Sequence, residues 1–280
     1  MDDLLLHHAD TIRLAFFIGV FAVMAGWETI MPRRQRSFRR LQRWPSNIGI
    51  VALNTLILKV ALPVAAVEFA ATAGVRGWGL FPALDLPFWL EFLLAVAVLD
   101  FVIYLQHVLF HAVPVLWRLH RMHHADLDFD VTTGARFHPI EILLSMGIKF
   151  AAIAALGPPA VAVLVFEILL NGTAMFNHAN ARLPLGVDRW LRWLVVTPDM
   201  HRVHHSVVPH ETNSNFGFNL PWWDRLFGTY RDQPAAGHDG MTIGLNRFRD
   251  PHELRLDHLL LQPWRSRADD YPINRRGGSD

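Results

Sequence analysis

The chain has 280 residues, 52% of them hydrophobic, and its 26 basic and 25 acidic side chains leave a formal net charge of +1. That balance argues against a nucleic-acid binder, which needs a broad basic face. The absence of cysteine excludes disulfides, thiolate zinc sites, Cys-ligated iron–sulfur clusters and a haem–thiolate centre.

The acidic start MDDLLLHHADT gives way to an apolar run over residues 12–31, about the ~20 residues that a bilayer span needs. The run lacks the positive start and small-residue end of a cleavable signal, so a retained span is expected, with His7 and His8 as polar residues at its entrance. Arg33 to Arg43, RRQRSFRRLQR, is the densest positive stretch. Between two apolar runs, the positive-inside rule explains it better than a solvated loop or a nucleic-acid contact. The N-terminus is then expected on the side opposite the cytoplasm. A second span over 47–73 is interrupted by Lys59, Pro63 and Glu68, whose charges should face a bundle interior or reach an interface.

A Gly/Pro-rich turn over 74–87 leads to a third span over 88–110. Asp100, Tyr104, His107 and His111 share one side of that helix, because offsets of 4, 7 and 11 nearly complete whole turns. Asp100 at this depth is a functional candidate, and internal hydrogen bonding is its plainer role. Apolar sequence from Pro139 to Phe176 is too long for one span, and Gly157-Pro158-Pro159 divides it into a helical hairpin, 139–156 and 159–177. Beyond Arg182 no span remains. Arg189, Arg192, Arg202, Arg225 and Arg231 are interleaved there with Trp190, Trp193, Trp222 and Trp223, a mixture suited to a headgroup interface.

The expected fold is all-α: a polytopic membrane helix bundle of four to five spans, with a cytoplasmic-side helical cap that carries the histidines. One membrane-embedded domain covers 1–235, and 236–280 reads as a polar, solvated tail ending in RRGGSD.

Any metal must be held by histidine and carboxylate. Of 16 histidines, ten lie between His107 and His205. The run HVLFHAVPVLWRLHRMHH, from His107 to His124, holds an HxxxH pair and an HxxHH motif, and HxxHH recurs at His201, His204 and His205. Imidazoles at i, i+3 and i+4 share a helix face, so each motif is expected to aim at one point. With His178 beside them, nine imidazoles exceed the four ligands of a tetrahedral zinc and imply two metals of four or five ligands each. Imidazole suits iron, copper, zinc and nickel alike. A zinc-dependent membrane hydrolase would need an HExxH that is absent, and a non-enzymatic transport protein would string its ligands along a path. A redox pair for oxygen activation fits the ligand set better.

The runs DFVIYLQHVLFH, LHRMHH, FHPIE, FNHAN, TPDMHRVHHS and NFGFNLPWWDRLFGTY, in this order between Asp100 and Tyr230, resemble the fatty acid hydroxylase/sterol desaturase superfamily of integral-membrane enzymes. The resemblance implies a non-haem di-iron centre of two Fe ions that uses O2 and two electrons to oxidise an unactivated C–H bond of a lipid. Hydroxylation is the foremost outcome, with desaturation and oxidative ether cleavage using similar ligands; zinc can replace iron during purification. Carried over by motif, the ligands are His107, His111, His120, His123, His124, His178, His201, His204 and His205. Some members place another histidine four residues before His178, where this chain has Ala174. His138 either fills that gap or, with Glu141, orients a ligating imidazole, a role open also to the amides of Asn177, Asn180 and Asn215. Asp224 is read as a structural clasp, pairing with Arg or capping a backbone turn. The chain has no haem-carrier, flavin or iron–sulfur motif, so a separate reductase or ferredoxin-type partner is expected to deliver electrons. The other partners are the membrane and the lipid substrate.

Overall fold

The computed structural model describes residues 2–62, 64–265 and 271–273. Regular structure among them is helical, and the β pairings are isolated bridges, Pro32 with Ala181 and Ser206 with Ile243. A short helix, Asp2–His7, leads into α1, Ala9–Ile30, and then come α2, Arg40–Ala61, and α3, Ala66–Val75. The membrane hairpin and its predecessor follow as α4, Phe88–Ala112, α5, Pro114–His124, α6, Pro139–Leu156, and α7, Ala160–Asn177. Shorter helices complete the chain: α8, Leu185–Leu191, α9, Pro198–His204, α10, Trp222–Phe227, and α11, Leu256–Leu261.

Five stretches are long and apolar enough to cross a membrane: α1, the α2–α3 stretch, α4, α6 and α7. Four agree closely with the expected spans. The second differs, because its helix starts at Arg40, inside the Arg-rich run, and α2 stops at Leu62, which is extended at φ −124° and ψ 98°. Pro63, outside the described residues, follows Leu62, and the residue before a proline is driven out of the α region. Lys59 and Glu68 are exposed, so neither faces the bundle interior.

α1, α4 and α3 pack on α7, and α3 and α4 also meet α6. Leu99, Ile103, Ile153, Val163 and Phe166 are buried between them. Phe16, Ile18, Val23, Leu56, Val60 and Leu93 are each more than half exposed on the outer surface. An apolar face of that extent suits hydrocarbon rather than water, so the protein is an integral membrane protein. Gly157 ends α6 in the left-handed region at φ +62°, where a Cβ would meet Trp78 O at 1.9 Å. Glycine is thus required where the hairpin tip crosses the preceding turn.

The segments that carry the nine clustered histidines gather at one end of the bundle. The C-terminal ends of α4 and α7, the start of α6, and α5 and α9 meet there. So do the end of α1, through the Pro32–Ala181 bridge, and the start of α2, through Arg43.

Two expectations change at this end. The Arg-rich run is not simply a charged loop. Arg43 is fully buried and grips Asp126 at two points, Nε–Oδ1 2.8 Å and Nη2–Oδ2 2.6 Å, with Nη1 2.5 Å from Asp130 Oδ2. Arg40 pairs with buried Glu28 at 2.8 Å, and Arg33 with Asp199 at 3.1 Å. The stretch after residue 235 is not a solvated tail either. Met241, Ile243, Leu245, Leu254 and Leu259 are buried, Arg118 donates to Pro263 O, and Ile273 N donates to His111 O at 3.0 Å. Its apolar residues are anchored singly, without helical or strand period, which is why the sequence reads as polar. The final RRGGSD lies outside the described residues.

Candidate metal centre

Nine fully or nearly fully buried histidines form two groups. His107, His111, His120, His124 and His204 make one, and His123, His178, His201 and His205 the other, with ligand atoms inside each group within 4.8 Å of one another. The expectation that each HxxHH aims at one point is corrected here. His120 and His124 of α5 go to the first group and His123 to the second. His201 and His205 go to the second group and His204 to the first. At about 100° per residue, an i, i+4 pair converges within ~40°, whereas the intervening histidine at i+3 points ~60° to the other side. Each motif therefore stitches the two groups together.

The rings are aimed with Nε2 inward. His107 Nδ1 donates to Phe216 O at 2.8 Å, His204 Nδ1 to Ser214 O at 2.7 Å and His178 Nδ1 to Ala174 O at 2.7 Å. Side chains hold two more: Asn213 Oδ1 lies 3.0 Å from His111 Nδ1, and Glu141 Oε1 lies 2.6 Å from His120 Nδ1. Ring packing holds others, with His123 stacked on Phe137 at 4.6 Å and His124 tilted against Trp117 at 5.3 Å. With Nδ1 committed as donor, Nε2 keeps a lone pair for a metal.

Facing nitrogens approach closely: His107–His120 3.1 Å, His107–His204 3.0 Å, His111–His124 3.1 Å, His178–His201 3.1 Å, and His178–His123 and His178–His205 3.2 Å. Metal–imidazole bonds of about 2.1 Å put neighbouring ligand nitrogens ~3.0 Å apart at right angles and ~3.4 Å apart in a tetrahedron. The donor set therefore fits a pair of metal ions. Burial, and then the neighbouring imidazoles, push His123, His124, His201, His204 and His205 well below the ordinary histidine range, and burial takes His178 down to about 3. Neutral imidazole is the ligating form.

The other candidate residues separate. Glu141 meets a cluster histidine, as expected of an orienting group. His138 does not fill the position left by Ala174: it caps α6, accepting from Ile140 N at 3.2 Å, and its Nε2 faces Leu260 O at 3.2 Å. Gly134 packs on Ala174 so closely that a Cβ there would meet Ala174 O at 2.5 Å. Asp100 is buried away from both groups. It accepts from Trp223 Nε1 at 2.8 Å and from the backbone of Asn219 and Leu220 at 3.3 Å, which ties the segment before α10 to α4.

None of the three asparagines touches a cluster ring through its amide. Asn177 donates to Phe218 O, Asn180 exchanges two bonds with Arg34, and Asn215 joins Met200 O to the Arg231 backbone. Asp224 caps a turn, accepting from Phe216 N at 2.7 Å, Gly217 N at 2.8 Å and Thr229 Oγ1 at 2.7 Å. That turn presents the carbonyl that holds His107. Asn213 was not singled out by sequence, because a lone asparagine in a loop carries no spacing signal.

A model of the fatty acid hydroxylase family matches residues 92–229. Over 222 residues the chain is 28% identical to alkylglycerol monooxygenase of Xenopus tropicalis, covering 77% of this chain and 47% of that protein. It is 28% identical over 236 residues to ornithine lipid hydroxylase OlsE of Rhizobium tropici, covering 81% of this chain and 69% of that one. It is 29% identical over 163 residues to human alkylglycerol monooxygenase, covering 58% of this chain and 35% of that protein. The chain thus spans about half the length or less of these monooxygenases. No solved structure matches. Residues 92–229, which hold all nine clustered histidines, are thus the part of the chain that matches a fatty acid hydroxylase domain.

Proposed function

We propose that this protein is a membrane-bound, O2-dependent di-iron oxidoreductase that acts on a lipid C–H bond. Hydroxylation is the foremost reaction, and desaturation and oxidative ether cleavage are the other outcomes such a centre serves. The observation that carries the reading is the pair of buried imidazole groups, five and four, with Nε2 atoms facing one another. The relatives named as lipid hydroxylase and monooxygenases support it. In this reading the nine histidines are the ligands, and Glu141 and Asn213 orient His120 and His111. Two iron ions held there supply the activation of O2 that an unactivated C–H bond requires.

The chain's own part is to position and to exclude. Phe137, Phe216, Phe218 and Trp117 surround the imidazoles and keep bulk water from them. His107 and His120 border a cavity of about 300 Å³ between α2, α4, α6 and α7, into which a lipid from the bilayer brings its carbon. The histidine end faces the cytoplasm, and the opposite end of α1 faces away from it. The membrane-embedded domain runs over 1–235, with the later segment laid across the histidine end. A separate reductase or ferredoxin-type protein delivers electrons.

Protein expressed with iron is assayed for bound metal and for O2 uptake with lipid and reductant, and cell lipids with and without the protein are compared by mass spectrometry. About two irons per chain, O2 uptake that needs the added reductase, and a lipid gaining one oxygen, losing two hydrogens or losing an ether are the expected results. Stoichiometric zinc supporting hydrolysis without O2 uptake would overturn the reading.

A further inference from the structure

α6 carries Glu141, Ser145 and Lys149 at i, i+4 and i+8, a polar stripe of about 12 Å at ~1.5 Å per residue. All three line the cavity whose near end is His107 and His120, and the rest of its lining is largely hydrocarbon, including Phe17, Val51, Leu58 and Ile103. Further polar residues join them from other helices. Gln106 Nε2 lies 3.0 Å from Ser145 Oγ, Asn54 Nδ2 donates to Phe137 O at 2.8 Å, and Glu167 pairs with Lys149 at 2.7 Å.

These lining residues are not fully satisfied. Asn54 Oδ1, Gln106 Oε1 and Glu141 Oε2 are buried oxygens that no donor among the described residues meets. The bond to Phe137 O fixes the amide of Asn54, so its oxygen is the end left over. A saturated acyl chain in this cavity would leave all three acceptors unpaired. That is the circumstance in which a site rejects molecules lacking a hydroxyl or N–H.

We propose that Asn54 and Gln106 are specificity-determining residues, accepting a hydrogen bond from a hydroxyl or amide N–H of the substrate inside the cavity. The donor lies between the histidine end and Lys149, so the C–H that is oxidised lies within about 12 Å of it, a separation set by the helix rise along α6. The site therefore selects an amphiphile that brings a polar group into the bundle, over a plain hydrocarbon tail. The inference rests on the oxidoreductase reading in taking this cavity as the substrate chamber.

The full-length protein in lipid nanodiscs is titrated with two matched pairs of single-chain amphiphiles, in competition with a fluorescent long-chain alcohol. One pair is a monoalkylglycerol and its di-O-methyl ether. The other is a secondary fatty amide and its N-methyl derivative, so the two pairs separate hydroxyl from amide recognition. In at least one pair the free donor is expected to bind ~10-fold or more tightly than its methylated partner. Asn54→Leu or Gln106→Met brings that ratio close to one while bound metal is unchanged. Ratios near one for both pairs in the unaltered protein would show that water meets these oxygens and would overturn the proposal. So would a ratio that persists in both variants. The unaltered protein decides alone if a variant fails to fold. Binding is read without turnover, so failure to consume O2 would count against the oxidoreductase reading only.

Discussion

Glu141, in the first turn of α6, places Oε1 2.6 Å from Nδ1 of His120, on α5. The carboxylate fixes which nitrogen of that ring is free and raises its basicity, so loss of this partner acts through the metal. Glu141→Gln is expected to weaken metal retention about 10–100-fold while the helical content of the protein stays unchanged. Dialysis against a graded chelator series with elemental analysis measures it. Metal retention equal to that of the unaltered protein would show that His120 needs no such orientation.

The interleaving of the two HxxHH motifs makes a second expectation. His204→Ala should resemble His107→Ala, since both remove a member of the five-histidine group, and His201→Ala should resemble His123→Ala. If each motif served one metal, His204→Ala and His201→Ala would instead behave alike. Metal stoichiometry and the spectrum of a cobalt-substituted protein separate the two patterns, because the groups differ in ligand number. Either His123→Ala or His204→Ala is also expected to abolish lipid conversion while leaving membrane insertion intact.

Much of this was legible in the sequence, for physical reasons that differ between elements. Apolar run length and the Gly157-Pro158-Pro159 break are local properties, so four spans and the hairpin read directly. Histidine spacing is also local, and it announced the clusters. What spacing could not announce was the division of each motif. That depends on where α9 is docked against α5, not on either helix alone. Arg43 was hidden for a related reason: its partners Asp126 and Asp130 lie more than eighty residues away. One Arg among the six of Arg33–Arg43 gives no sign that it alone is buried. The buried pair Lys149–Glu167 escaped in the same way, each charge being isolated within an apolar helix.

Arg43 yields a third expectation. Burial pushes the carboxyl of Asp126 up, but Arg43 and then Arg136 outweigh it and hold the group well below the usual carboxylate range. Arg43→Met removes the larger attraction and leaves Asp126 and Asp130 as buried anions with too few partners. Breaking a buried pair in this way costs about 3–5 kcal/mol. Asp126 follows His124 by two residues, so metal loss should accompany unfolding. Thermal unfolding in detergent measures the first, elemental analysis the second. A melting point unchanged by Arg43→Met would make the network dispensable.

Acid should destabilise the metal-free protein, and the sign follows from which groups are shifted and in which direction. His123, His124, His201, His204 and His205 lie well below 6.5 in the folded chain, and His178 lies near 3. His238, pushed down first by burial and further by Arg202 and Arg33 against the pull of Asp199, lies near 4. Below pH 6.5 the unfolded chain therefore binds more protons than the folded one, and stability falls as pH falls. For His238 the loss runs from about 6.5 to about 4, and for His178 it continues to about 3.

Asp224 works the other way. Burial raises it to about 6 against the bonds from Thr229, Gly217 and Phe216, so its contribution is present below 3.8 and is lost as pH rises through 6. Asp128, also raised by burial, acts in the same direction as Asp224, but the seven lowered imidazoles outweigh these carboxyls, and the net slope between pH 6.5 and 4 favours the neutral side. Melting temperatures across this range should decline with acid more steeply in the metal-free chain than in a variant with His238→Gln and His178→Gln. A profile flat from pH 7 to pH 4 would mean that the buried rings take up protons freely, contrary to their enclosure.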